Sequence, residues 1–266
     1  MSSWLGAVFR CLGTDAFKLR RTPALALSVL LPAVPPLLFF VYVLQRGNQG
    51  TPEEVSPVAW TIQGIASLWA IFLIPLFVAI ETSLLASIEW NNDGWKHLFA
   101  LPVPRSAVYT AKFMTAGALM GIATVSICGY TMLSVWGLFQ LRADAGFLAP
   151  LPIWQIFVLF ALVGTASLFL LSVHSVVALR WPSFALNVGL ALAALMGNFV
   201  LIESRLRLIY PWSLPPAIEN LAGPMVFGWG TRGTPYDVFL TLSITTVSAG
   251  LVVLLGVWSL SRRDVL

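Results

Sequence analysis

The apolar residues of this chain arrive in blocks of about twenty or more, and that feature decides most of what it can fold into. A helix of that length crosses the roughly 30 Å hydrocarbon core of a bilayer while satisfying every backbone hydrogen bond within itself. Six such windows occur, at 24–44, 60–80, 108–139, 153–179, 184–202 and 238–260. A membrane barrel is excluded, because its strands would read as short segments of alternating polarity. Only 10% of the residues are charged, against about 25% in a soluble domain. The fold class predicted is an all-α polytopic membrane protein with six transmembrane helices. The spans consume roughly 120 of the 266 residues, which leaves no room for a soluble nucleotide-binding or catalytic domain. Energy for any transport must therefore come from a gradient or from another chain.

Orientation follows from the loops. With the N-terminus in the cytoplasm, ten of the 15 Lys and Arg residues lie inside, among them Arg10, Lys18, Arg20, Arg21, Lys96, Arg105 and Lys112. Outside are Arg46, Arg142, Arg205, Arg207 and Arg232, so both termini are predicted to be cytoplasmic, in a plasma (inner) membrane. The basicity, with a net charge of +4, therefore reads as a topology signal rather than a nucleic-acid patch. The cysteines Cys11 and Cys128 have neither CxxC nor histidine spacing and read as packing residues. No small-residue cleavage site follows the first apolar run, so it is expected to stay attached as span 1.

Residues 1–23 alternate Trp4, Leu5, Val8, Phe9, Leu12 and Phe17 with Arg10, Asp15 and Lys18 at helical spacing, as in an amphipathic elbow helix that lies at the headgroups before the chain enters the membrane. In span 1, Pro32, Pro35 and Pro36 remove backbone donors and predict a bend. In span 5, Ala185, Gly189, Ala193 and Gly197 put small side chains on one face, as do Gly117 and Gly121 in span 3, so close helix–helix seams are expected there.

The connection after span 2 carries the most information. Asn91, Asn92, Asp93 and Gly94 break the preceding helix, Asp93 can cap a new one, and Pro102 and Pro104 stop it. The result is a short helix over 95–101. Its Trp95, Leu98 and Phe99 are too apolar for a free loop, while Lys96, His97 and Arg105 keep it out of lipid. It either lies on the headgroups with its basic residues snorkelling, or inserts as a peg into a cytoplasmic partner.

The segment 203–237 is the one long outer connection, rich in Pro, Arg and aromatics, and reads as a partly buried extracellular cap with half-helices dipping into the outer leaflet. Glu81 and Glu89 are expected at the inner end of span 2, with His174 and Asn187 near the inner ends of spans 4 and 5, all in structural roles. The two histidines, His97 and His174, sit in no ligand pattern, and GxSxG, Walker A and Rossmann fingerprints are absent from the sequence. No catalytic, metal or cofactor site is expected in this chain.

The run from Glu89 through Trp95-Lys96-His97-Leu98 to Leu101-Pro102-Val103-Pro104-Arg105, with Tyr109 and Lys112, resembles ABC transporter permeases of the type 2 exporter superfamily. It is most similar to the branch of lantibiotic-protection permeases. Asp15 to Arg21 before span 1 and Ser261 to Val265 at the end extend the likeness along the chain. The resemblance implies a six-span subunit that pairs with a second permease, identical or related, over two copies of a separate P-loop ATPase that binds the ATP and Mg. It further implies that residues 95–101 form the coupling helix, with Glu89 at the entry to the loop. The cargo implied is an amphipathic or lipophilic compound moved outward. A gradient-driven carrier and a non-transporting membrane scaffold are the alternatives. The carrier would need ion-coordinating groups near the midplane and inverted repeats.

Overall fold

The computed structural model describes residues 4–20, 22–47, 51–52, 54–90, 103–142, 147, 151–201, 204–230 and 233–262. Among these the secondary structure is entirely helical. Five helices are long and apolar enough to cross a membrane: Ala24–Arg46, Pro57–Trp90, Arg105–Leu141, Phe184–Leu201 and Pro235–Ser261. Ile153–Ala166 and Leu168–Arg180, bent by 41° at Ser167, make a sixth when counted as one span. The chain is a polytopic helical membrane protein.

Each irregularity in the spans has a local cause. Span 1 tightens into a 3-10 turn at Leu31–Ala33, where Pro32, Pro35 and Pro36 withhold their backbone donors. Span 2 widens into a π turn at Trp69–Leu73, just before Pro75, whose ring would otherwise strike the preceding turn. Span 4 bends where the Ser167 hydroxyl donates back to the Val163 carbonyl (2.8 Å), beside Gly164, which lies against Thr124 of span 3. Span 2 also outruns its apolar window. Its helix continues to Trp90, nine residues past Glu81, so Glu81 lies about 13 Å along the axis from that end rather than at it. Glu81 is buried and accepts a hydrogen bond from Ser28 of span 1 (3.1 Å).

Span 3 is the central post, packed by spans 1, 2, 4 and 6 and, near its start, by the N-terminal helix Trp4–Leu19. The core gathers Trp69 and Phe77 of span 2, Leu119 and Ile127 of span 3, and Phe160 of span 4. Spans 5 and 6 are peripheral, and the small-residue stripe of span 5 faces out of the chain. Ala185, Gly189 and Ala193 are exposed, and a β-carbon on Gly189 would meet nothing within 4 Å. A β-carbon on Gly117 or Gly121 would likewise meet nothing within 4 Å, whereas Gly197, the last member of the span 5 stripe, lies against the Tyr210 hydroxyl, so of the expected seams only that end closes within this chain. The tight seam lies elsewhere: Gly256 of span 6 sits against the ring of buried Tyr109 of span 3, where a β-carbon would overlap the ring atoms. Gly256→Val should lower stability by about 1–3 kcal/mol through this overpacking. A thermal unfolding midpoint in detergent equal to that of the parent protein would contradict it.

Between spans 5 and 6 the chain turns back into the bundle. The Tyr210 hydroxyl donates to the Ala194 carbonyl (2.6 Å), and the Trp212 ring stands edge-on to His174 at 5.5 Å. Helix Leu214–Phe227 then packs on spans 2, 4 and 6, and Gly228 ends it in the left-handed region (φ 72°). The carboxylate of Glu219, on this helix, accepts from Gln63 and from Ser67 (2.8 Å) of span 2. Deeper in the bundle, the Asn187 amide donates to the Ala79 carbonyl (3.0 Å), Thr82 Oγ1 (3.0 Å) and Ser83 Oγ (2.9 Å). Its carbonyl oxygen meets His174 Nδ1 at 2.7 Å. One asparagine thus ties spans 2, 4 and 5 together.

Candidate functional site

Span 2 ends at Trp90 and span 3 begins at Arg105, so the stems of the informative loop stand at one end of the bundle. The N-terminal helix lies across that end. Its Ala7 and Val8 pack on Ala107 and Ala111 of span 3, and the Trp4 indole donates to Ser106 Oγ (3.1 Å). Small residues on both sides let the two helices meet closely. Leu5, Phe9 and Phe17 lie on the other face and are exposed, as an interfacial helix requires.

The same contact gathers four charges, three of them buried. Lys112 Nζ donates to Asp15 Oδ1 (2.7 Å) and to Glu89 Oε1 (3.0 Å), and Lys18 Nζ donates to the same Glu89 oxygen at 2.7 Å. Asp15 and Lys18 belong to the N-terminal helix, Glu89 to the last turn of span 2, and Lys112 to the third turn of span 3. Glu89 and Lys112 are 2% and 4% exposed, whereas Lys18 remains 32% exposed. Two carboxylates and two ammonium groups balance, which is the condition for holding charge out of water. The knot joins the elbow helix to both stems of the loop.

Beside the knot lies a cavity of about 240 Å³, walled by Cys11, Thr14, Val103 and Val108. Burial, and next the charge of Asp15, push the Cys11 thiol above its usual value, which favours its protonated form.

Of the residues expected to form the site, Glu89 is in the knot. Arg105 opens span 3, and its guanidinium reaches the carbonyl of Ser261 at the end of span 6 (3.5 Å). Trp95, Lys96, His97, Leu98, Phe99 and Leu101 lie outside the described residues. Sequence reasoning missed the pairing of Asp15 and Lys112. The available signal was Lys112 itself, an ammonium inside an apolar helix that must find a carboxylate.

No curated protein matches this chain. The family described as ABC-2 family transporter protein matches residues 12–198, which takes in the N-terminal helix from Leu12, the charged knot, the loop, the first four spans and most of the fifth. The chain belongs to the ABC-2 transporter family of membrane proteins.

Proposed function

We propose that this chain is the permease subunit of an ATP-driven exporter that moves an amphipathic or lipophilic compound out of the cytoplasm or the inner leaflet. Cargo of the peptide-antibiotic, drug or lipid type fits, and the lantibiotic-protection role is the narrowest form of the reading. Two copies of a separate P-loop ATPase bind ATP and Mg, and a second permease, identical or related, completes the assembly. Both termini face the cytoplasm.

The observation that carries this reading is the charged knot. Glu89 and Lys112 clamp the two stems of the loop to each other and to Asp15 and Lys18 of the elbow helix. A partner that grips residues 95–101 therefore pulls on spans 2 and 3 together with the elbow, as a coupling element must. Family membership supports the ATPase partner. The exposed stripe of Ala185, Gly189 and Ala193 on span 5 supports a second permease, because small residues allow helices from two chains to approach closely. Exposed Phe72 of span 2 and Met196 and Phe199 of span 5 supply apolar, adaptable surface for a lipophilic cargo.

The test is purification of the tagged full-length protein from its native membrane in mild detergent, with identification of the chains that come with it. An ATPase chain should co-purify in near-equal amount, with hydrolysis sensitive to vanadate and export insensitive to a protonophore. Export abolished by the protonophore with no ATPase bound would replace this reading with the gradient-driven one.

A further inference from the structure

Spans 4 and 6 pack along one another to the end of the bundle that carries the elbow helix. Between them, with Tyr109 of span 3 behind, lies a small cavity of about 10 Å³, room for one oxygen atom. Leu179 and Arg180 in the last turn of span 4 form one wall, and Gly256 and Ser259 of span 6 form the other. The Tyr109 hydroxyl fits there because position 256 is glycine; a β-carbon would fall on its oxygen.

Three donors line this space, and among the described residues none of them has an acceptor. Tyr109 is 1% exposed, yet its buried hydroxyl makes no hydrogen bond, a state that native proteins avoid. Ser259 Oγ makes none either, whereas Thr245, Thr246 and Ser261 of the same helix donate to carbonyls about one turn back. The exposed Arg180 guanidinium has neither a hydrogen bond nor an ion pair, and its central carbon lies 5.9 Å from the Trp181 ring centroid. No carboxylate among the described residues lines the cavity. Two hydroxyls and a guanidinium around room for one oxygen suit an oxyanion. The surroundings suit a lipid. Trp181 and Trp258 are half-exposed nearby, as indoles are at the headgroup level, and Leu255 and Leu251 stand exposed four and eight residues before Ser259 on the same face of span 6.

We propose that the cleft between spans 4 and 6 binds one phospholipid of the adjacent leaflet. One phosphate oxygen enters the cavity and accepts from Tyr109 and Ser259, the guanidinium of Arg180 pairs with the same phosphate, and an acyl chain lies along Leu255 and Leu251. The site requires only that the chain spans a bilayer. It does not depend on an ATPase partner, so its failure and that of the exporter reading are separable.

The test uses the full-length protein, delipidated in detergent and titrated with phosphatidylglycerol, with adducts counted by native mass spectrometry. One lipid per chain should bind tightly. Arg180→Gln and Tyr109→Phe each remove a charge-assisted contact and should weaken binding by at least about tenfold. Tyr109→Phe deletes a hydroxyl that bonds to nothing in the protein, so its unfolding temperature should not fall below the parent's. Because Arg180 is exposed, its variant keeps the fold in any case. Arg20→Gln, an exposed cation on the elbow, should leave the affinity unchanged. Parent-like affinity in Tyr109→Phe overturns the proposal, as does an equal loss in Arg20→Gln, which would mean attraction to the basic surface in general. Displacement of the lipid by millimolar inorganic phosphate overturns it too, since the site would then be one for soluble anions.

Discussion

Lys112→Met destabilises the folded protein by about 3–5 kcal/mol, because it leaves carboxylates buried without their cation. Asp15 has Lys112 as its sole ion-pair partner among the described residues, and Glu89 retains only the half-accessible Lys18. The remedy distinguishes this cause from lost packing. Adding Asp15→Asn removes the stranded charge and should recover more than half of the loss. Lys18→Met should cost under about 1 kcal/mol, since Lys18 is 32% exposed and its pairing is largely screened. Thermal unfolding of the purified variants reads all three. A double variant no more stable than Lys112→Met alone would show that the ion pair is not what holds the elbow.

Phe99→Asp abolishes stimulation of the partner ATPase, by more than about tenfold, if residues 95–101 seat in an apolar groove of that partner. Burying a carboxylate in such a groove without a hydrogen-bond partner costs several kcal/mol. The knot that fixes the stems is left intact, so expression and unfolding temperature should match the parent protein. Phe99→Leu, which keeps the apolar contact, should retain most of the activity. Wild-type hydrolysis and export by the aspartate variant would refute the coupling role.

The spans were legible because a bilayer imposes a length and a polarity that any window of about 20 residues reports. Their ends were not. The apolar window of span 2 stops at 80 because Glu81 and Glu89 lower its hydropathy, yet the helix runs to Trp90. Those carboxylates find partners inside the protein, Ser28 for one and Lys18 and Lys112 for the other, so they do not interrupt it. The knot was half visible. An isolated Lys112 in an apolar helix demands an acid, but Asp15 lies 97 positions earlier, and nothing in the sequence gives the rotation of the two helices that bring them together. Small-residue stripes misled for a related reason. They show which faces can approach something, not what: Ala185, Gly189 and Ala193 of span 5 point away from their own chain, while Gly197 meets Tyr210.

The N-terminal helix carries exposed Leu5, Phe9 and Phe17 and is bonded through Asp15 and Lys18 to both stems of the loop, so in the proposed exporter, with that helix at the headgroups, the stems cannot shift without ploughing it through lipid. The viscosity of that surface layer would then act as a mechanical load on every stroke. Reconstituted in tightly packed, saturated membranes, such an exporter should turn over more slowly than in loose, unsaturated ones, with no change in its affinity for fuel.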